Sequence, residues 1–426
     1  MMPPRTPGPM KTAADGDLIR RINRHRVLSE IRRRGTVARV DIAAATALSP
    51  ATVTTVTGEL LDAGLIEIAE DEEPAGRGTA ALSARGRPRV LLRLNPGACH
   101  VAGVKIAMHR VSVWISDFAG NLVRSTVVPV RANRQPPEVV ADLVEDALRQ
   151  ACAESGLALA EIAGIGLGVP GFIDFSAGIC HWSPVFGEGP VALRALMTER
   201  LGRPVFVDND ANLATYAELW RGAGQGHDNF LVVTVEHGVG MGAVVGGQLY
   251  RGSKGLGSEF GHTKIERGGA PCRCGQRGCL EAYVADFAIL REAGRLLFLD
   301  GLALGDLEDP FEVQRGLDRL AEMARAGDAE VRRIHERAGE ILGLGIANLI
   351  NLFDPALVIL SGERMQLYEF YERAMLRAAR DNVLSVHCDR TPIRVNRWGD
   401  EVWAWGAAAL ALHELHLPPL EARRAV

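Results

Sequence analysis

Three of the chain's seven cysteines fall within eight positions, at Cys272, Cys274 and Cys279. His262 stands ten residues before the first of them. Three thiolates on a glycine-punctuated turn, joined by one imidazole, form a tetrahedral Cys3His set with no position left open. That is the pattern of structural zinc. A catalytic metal needs an open position for water or substrate, and an iron–sulfur cluster fits this donor set less naturally. Three reduced surface cysteines are the plain alternative. Glu259 precedes His262 by three residues and Glu281 follows Cys279 by two. A metal here would therefore hold two carboxylates close to an imidazole whose second nitrogen is free to act.

Elements must bring these groups together, and the chain is long enough for two or three domains at 426 residues. Its apolar share of 47% with 23% charged residues is that of a soluble globular protein. No apolar run reaches the roughly 18 residues of a membrane span. The opening, residues 1–18, has no apolar signal core and reads as a disordered cytoplasmic tail. An odd, clustered cysteine set fits a reducing compartment better than a disulfide framework. The net charge of −4 conceals an asymmetry, because residues 1–100 carry 15 Lys and Arg against 11 Asp and Glu. A basic head on an acidic body points to an anionic partner for the head alone.

In that head, Ile22, Val27, Leu28 and Ile31 recur at near-helical spacing among arginines, and Gly35 ends the helix. A short helix follows over "RVDIAAATALS", ending before Ser49. Ser49 then caps a third helix with Pro50 at its first position. Its apolar stripe is Val53, Val56, Leu60 and Leu61; Thr52, Thr54, Thr55 and Thr57 occupy much of its remaining surface. Gly64 stops it, and "LIEIAE" reads as a strand. Three helices and a strand make a winged helix-turn-helix over residues 19–97. Ser49, Ala51, Thr52, Thr54 and Thr55 are placed to meet base edges or phosphates in a major groove. Arg85, Arg87 and Arg89, around a Gly and a Pro before the next strand, form a cationic wing tip suited to a minor groove or phosphate rail. A three-helix packing module is the bland alternative. Because the basic segment lies so far from the cysteines, a nucleic-acid-gripping finger at Cys272–Cys279 is disfavoured.

From Val101 strands alternate with helices. "HVAGVKIAMHRVSVWISDFAGNLV" reads as two strands turning at Ala119–Gly120–Asn121, and a helix covers about 137–155. "IAGIGLGVPGFID" is a buried strand running into a glycine loop. "PVFVDNDANLATYAE" is a strand ending in acidic and amide residues, then a helix. "FLVVTVEHGVGMGAVVGGQLYRG" is a strand pair, helices dominate from about 281 to 353, and "PALVILSGERM" is a late strand before a terminal helix. The pattern implies two α/β lobes around a cleft.

These landmarks resemble the ROK family (repressors, open reading frames and kinases) over about residues 20–413. The most specific elements are "VDNDAN", "SEFGHTKI" and "CRCGQRGCLE". The resemblance implies a two-lobed actin/hexokinase-like, ribonuclease H-like fold behind the DNA-binding head. It divides the body into lobe 1 over 98–208, completed by a C-terminal helix at about 402–415, and lobe 2 with the zinc site over 209–401. It further implies a sugar held by Asn209, Asp210, Glu259, His262 and Glu281, zinc on His262, Cys272, Cys274 and Cys279, and assembly into a homodimer or homotetramer. Carboxylates and amides suit that task, since each sugar hydroxyl needs an acceptor and often a donor.

Where the family's kinases bind nucleotide, this chain departs three times. The first phosphate loop, Asp-x-Gly-Gly-Thr followed by another Asp, aligns so that Lys105, Ala107, Met108 and His109 replace it. Side chains at 107 and 108 would block the close backbone approach that phosphates require. The second loop, Gly-Thr-Gly-x-Gly, reads Glu236-His237-Gly238-Val239-Gly240, and a carboxylate there repels polyphosphate. A late Gly-Gly has become Ser361-Gly362, followed by Glu363. Asp210 stands where the kinases keep their general base. The expectation is a repressor that binds operator DNA and senses a sugar, not an enzyme. The alternatives are a sugar kinase with a DNA-binding head, or a regulator answering to a protein such as a sugar-transport phosphotransferase component. "CHWSPVFGEG", in the loop where family members touch their ligand, lacks the asparagine often found after its Ser-Pro. Trp182 or Phe186 would narrow the pocket there, leaving a pentose such as xylose or a modified hexose as candidates.

Overall fold

The computed structural model describes residues 14–69, 90–187, 189–301, 309–362, 365, 367–388, 390–396, 399 and 401–415. Arg85, Arg87, Arg89 and Glu363 lie outside them. The chain divides into two compact units, residues 1–101 with 116–122 and 412–426, and residues 102–115 with 123–411.

In the first unit, helix α1 (Ala14–Arg34) precedes strand β1 (Thr36–Ala38), helix α2 (Arg39–Thr46) and helix α3 (Pro50–Asp62). Strands β2 (Ile66–Ile68) and β3 (Leu91–Leu94) then build a sheet in the order β1-β3-β2, antiparallel throughout. Of the residues the helical spacing marked out, Val27, Leu28, Ile31, Val53, Val56 and Leu60 are buried, Ile22 and Leu61 are half-buried, and Ile42 of α2 joins the core. Ser49 accepts from Thr52 N at 3.1 Å, the N-cap expected of it. Three details differ from the sequence reading. Helix α1 begins at Ala14, within the stretch read as tail, because its extra turn "ADGD" has no apolar residue to mark a period. Strand β1 is too short to show alternation. Thr57 is fully buried and accepts a hydrogen bond from Arg39 Nε at 2.8 Å, so it is a packing residue rather than a surface one.

The second unit carries two five-stranded sheets. Strands β4 (His100–Ile106), β5 (Arg110–Asp117), β6 (Leu122–Pro129), β7 (Ile162–Val169) and β10 (Val205–Asn209) give the order β10-β7-β4-β5-β6. Between β7 and β10 lie a two-stranded hairpin, β8 (Phe172–Asp174) with β9 (Ile179–Trp182), and helix α5 (Leu193–Leu201). Helix α4 (Pro137–Ser155) follows β6. The second sheet takes β11 (Phe230–Val235), β12 (Val239–Val245), β13 (Gln248–Tyr250), β14 (Leu357–Ser361) and β15 (Ile393–Val395) in the order β13-β12-β11-β14-β15. Counting each sheet's strands along the chain, both read third, second, first, fourth, fifth. This repeat is the two-lobed, ribonuclease H-like architecture expected. Where two strands were read over 100–123, there are three, because the tight turn at Ala107–His109 contains neither Gly nor Pro. The segment read as the pair β11–β12 likewise adds the short β13.

Helix α6 (Asp210–Arg221) leaves β10, and helix α12 (Glu401–Glu414) closes the fold. The other helices, α7 (Glu281–Val284), α8 (Asp286–Leu299), α9 (Pro310–Ala326), α10 (Ala329–Phe353) and α11 (Tyr368–Asn382), belong to the second lobe. Helices α6 and α12 cross at backbone contact: a β-carbon on Gly406 would collide with the Leu213 carbonyl. A β-carbon on Gly166 of β7 would collide with the Ala407 carbonyl, so the alanine-rich α12 lies directly on the first sheet. Trp403 and Trp405 of the same helix pack with Phe230, Val232 and Ile359 of the second sheet. One helix thus joins both lobes beside the cleft.

Candidate functional site

A cavity of about 570 Å³ lies between the two sheets. Asn209, Asp210, Glu259, His262 and Glu281 all line it, although 72 residues separate the first from the last. The β10–α6 junction supplies two of them. Asn209 caps α6, its side-chain oxygen accepting from Asn212 N at 2.8 Å, which leaves its amide NH2 as a donor. Asp210 begins the helix, with Oδ1 on Ala211 N at 3.0 Å. Asp208 anchors this junction from beneath. It is 1% exposed, accepts from Asn212 Nδ2 and Asn209 N, and receives Arg251 Nε at 2.9 Å. The Arg251 guanidinium also lies 3.8 Å from the Phe175 ring centroid.

The second half of the site hangs on the cysteine turn. His262, Cys272, Cys274 and Cys279 place their ligand atoms within 4.8 Å of one another. Cys274 Sγ and Cys279 Sγ are 3.7 Å apart, and Cys272 Sγ lies 3.7 Å from His262 Nδ1. Tetrahedral ligands at a Zn–S distance near 2.3 Å would stand about 3.8 Å apart, so the donor set fits such an ion. Nδ1 is the ring nitrogen turned to the sulfurs. Glu281 is 7% exposed and ties the turn to the glycine loop, accepting from Val239 N at 3.1 Å while its other oxygen meets Cys272 Sγ at 3.5 Å. Burial, and then the charges of Asp210 and Glu281, push the Glu259 carboxyl up to about 7. Three carboxylates thus face one small volume.

The positions that depart from the kinase loops also line this cavity: Lys105, Ala107, Met108, His109, Glu236 and His237. What spacing did not reveal is how two of them are used. Lys105, with its side chain 8% exposed, bonds Asp210 Oδ2 at 2.8 Å and lies 5.6 Å from the Trp403 ring centroid. His237 Nδ1 lies 3.0 Å from the buried carboxylate of Asp286 at the start of α8. A basic residue where an acidic one was expected was the signal for the first pair; nothing in the sequence announces the second. Both aromatic residues expected to narrow the pocket line the cavity, Phe186 from the first lobe's core and Trp182 as a 45% exposed side chain on the wall.

In the head, Ser49, Ala51, Thr54 and Thr55 are exposed on and before α3, and Thr52 is half-buried. Their chemistry is narrower than the sequence implies. Thr54 and Thr55 donate to the carbonyls of Pro50 and Ala51, and Thr52 Oγ1 lies 2.8 Å from Ser49 Oγ. This face therefore offers methyl groups and acceptor lone pairs more than free donors.

Comparison with known proteins agrees with this arrangement. Residues 20–67 match the winged helix-turn-helix DNA-binding model, and residues 101–414 match that of the ROK family. The chain is 26% identical to the xylose repressor of Bacillus subtilis, covering 87% of this chain and 90% of that protein. Its fold is similar to that of a ROK family transcriptional regulator homologous to the E. coli MLC protein, with a TM-score of 0.75 and 25% identity over 94% and 98% of the two chains. It is also similar to a ROK hexokinase from Thermus thermophilus, with a TM-score of 0.61 and 33% identity over 74% of this chain and 98% of that one. The chain belongs to the ROK family, with an N-terminal winged helix-turn-helix DNA-binding domain ahead of the family's two-lobed body.

Proposed function

We propose that the protein is a transcriptional repressor whose body binds a sugar or sugar derivative, and whose affinity for operator DNA changes with it. The convergence of Asn209, Asp210, Glu259, His262 and Glu281 on one cavity carries this reading. Together they offer the mixture of acceptors and donors that a ring of hydroxyls requires. A structural zinc on His262, Cys272, Cys274 and Cys279 would fix the imidazole with Nε2 toward the sugar, and would supply no chemistry of its own. Ser49, Ala51, Thr52, Thr54 and Thr55 would face the major groove, with Arg85, Arg87 and Arg89 adding salt-sensitive phosphate affinity. A homodimer or homotetramer would present paired recognition helices to a pseudo-palindromic operator. Sugar shifts operator affinity only as far as it binds one form of the protein better than the other.

Catalysis is not part of this reading. Asp210 Oδ2 is paired with the Lys105 ammonium and Oδ1 accepts from Ala211 N, an arrangement that leaves lone pairs to hold a sugar hydroxyl and places a cation where a kinase base would have to take its proton. Glu236 faces the place of the polyphosphate, and Met108 fills a position that phosphates approach through bare backbone. Operator binding measured by fluorescence anisotropy across a panel of sugars, beside a coupled ATPase assay on the same panel, tests the proposal. A sugar that shifts operator affinity without ATP turnover is expected. Sugar-dependent turnover abolished by Asp210→Asn would replace the repressor reading with a kinase one.

A further inference from the structure

The cavity is larger than one sugar ring needs. A hexose has twelve heavy atoms, and even at the loose packing of water, about 30 Å³ each, they fill roughly 360 Å³. The space available is about 570 Å³, and it takes in the loop positions Ala107–His109 and Glu236–Val239 as well as the sugar set. The polar set lies toward the cysteine turn, and what continues from it along the wall of lobe 1 is aromatic. Phe172 meets His262 edge-on, with ring centroids 5.5 Å apart, and Trp182 stands a further 5.5 Å from Phe172. The two are register partners across the β8–β9 hairpin, at a bulge that turns both side chains onto the cavity. Trp182 is 45% exposed, a large apolar face left in water at the edge of a polar site. Packing does not require it there, since the same hairpin buries Ile173 and Cys180.

A neighbouring stretch of backbone is held in an uncommon conformation. Arg134 has φ of +49°, in the left-handed region, and its N–H donates to Pro184 O at 3.1 Å. Gln135 N donates to Val185 O at 2.9 Å, so the 131–135 loop is pinned to the loop that follows Trp182. Asn133 and Arg134 line the same cavity as the two rings. A positive φ is uncommon outside glycine, and at Arg134 the two hydrogen bonds to the 184–185 backbone hold it.

We infer that the wall formed by Phe172 and Trp182 is a second sugar subsite, so that the effector is a disaccharide or longer glycoside rather than a free monosaccharide. One ring would occupy the polar set around His262, and the next would lay its C–H face on Trp182 with hydroxyls toward Asn133 and Arg134. Aromatic platforms suit this task because they offer flat apolar area at little cost in side-chain entropy. The inference rests on the sugar reading above and names the class of ligand for the same cavity.

Calorimetric titration of the full-length protein tests it with xylose, glucose and N-acetylglucosamine beside xylobiose, cellobiose, maltose and chitobiose. Wild type, Trp182→Ala and Trp182→Phe are compared. At least one disaccharide is expected to bind roughly tenfold or more tightly than its own monosaccharide. Trp182→Ala should abolish that margin by weakening the disaccharide at least roughly tenfold more than its monosaccharide, and Trp182→Phe should keep most of it. A monosaccharide that binds as well as every disaccharide refutes the second subsite but leaves the sugar reading intact. A disaccharide preference unchanged in Trp182→Ala refutes the platform. Absence of binding by every sugar removes the sugar reading itself, and this inference with it.

Discussion

Lys105→Met removes the ammonium from Asp210 while keeping most of the side chain's apolar length. The two groups are 2.8 Å apart, with side chains 8% and 26% exposed. At an effective dielectric near 20, Coulomb's law gives about 6 kcal/mol for unit charges at that distance. Desolvation of a nearly buried lysine offsets most of it, leaving a coupling of about 1–3 kcal/mol, the range of charge-assisted hydrogen bonds. The single substitution should cost somewhat more than that coupling, because it leaves Asp210 facing Glu259 and Glu281 without its cation. Asp210→Asn relieves that repulsion but strands the ammonium. In the double variant neither charge remains, so its loss of stability should be smaller than the sum of the singles by about 1–3 kcal/mol. The assay is a double-mutant cycle of urea unfolding at pH 7, followed by tryptophan fluorescence. Strict additivity within about 0.3 kcal/mol would refute the view that Lys105 and Asp210 form a working pair.

Three further outcomes follow from particular contacts. His335 is 2% exposed and held neutral, its pKa pushed down to about 4 by burial. The unfolded chain takes up that proton near pH 6.5 while the folded one refuses it until about 4. Stability present above 6.5 is therefore lost as pH falls through that window, by about 3 kcal/mol. Denaturation midpoints of His335→Leu between pH 7 and pH 4 should fall less steeply than those of wild type by that amount. If the proposed zinc is held there, Cys274→Ser, which removes one of its four candidate ligands, should reduce bound zinc, measured by plasma emission, from about one per chain to near zero. Sugar-induced change in operator affinity should disappear while sugar-free operator binding survives; the reverse order would place the metal's role in the DNA-binding head. On α3, Thr55→Val should keep operator affinity within about threefold, because the hydroxyl donor is already spent on Ala51 O. Thr55→Ala, which removes the methyl as well, should lose about tenfold if that methyl meets a thymine.

Much of the fold was legible because it rests on local rules. Ser49-Pro50 marked a helix start, Gly35 and Gly64 marked stops, and the apolar period marked the stripe that buries Val53, Val56 and Leu60. The cysteine turn was legible for the same reason, since Cys272, Cys274 and Cys279 are near neighbours in the chain. Errors arose where local rules fall silent. Thr57 looks like its neighbours Thr54 and Thr55, and only the packing of α2 on α3 buries it beneath Arg39. The turn between β4 and β5 uses Ala107, Met108 and His109, which carry no turn signal, so two strands read as one.

The sequence by itself determined that a capped, basic three-helix head precedes an alternating α/β body with a Cys3His cluster on one turn. Through the family resemblance it also matched Lys105, Met108 and Glu236 to the loops with which the family's kinases bind phosphate. Tertiary structure alone decided what those residues do. It set Lys105 on Asp210, 105 residues apart in the chain, and His237 on Asp286, and it aligned Trp182 with Phe172 and His262 along one wall. The reason is physical. Helix caps and metal turns are closed by neighbours in sequence, whereas ion pairs across a cleft and ring platforms exist only once two sheets have packed and burial has removed the water between them.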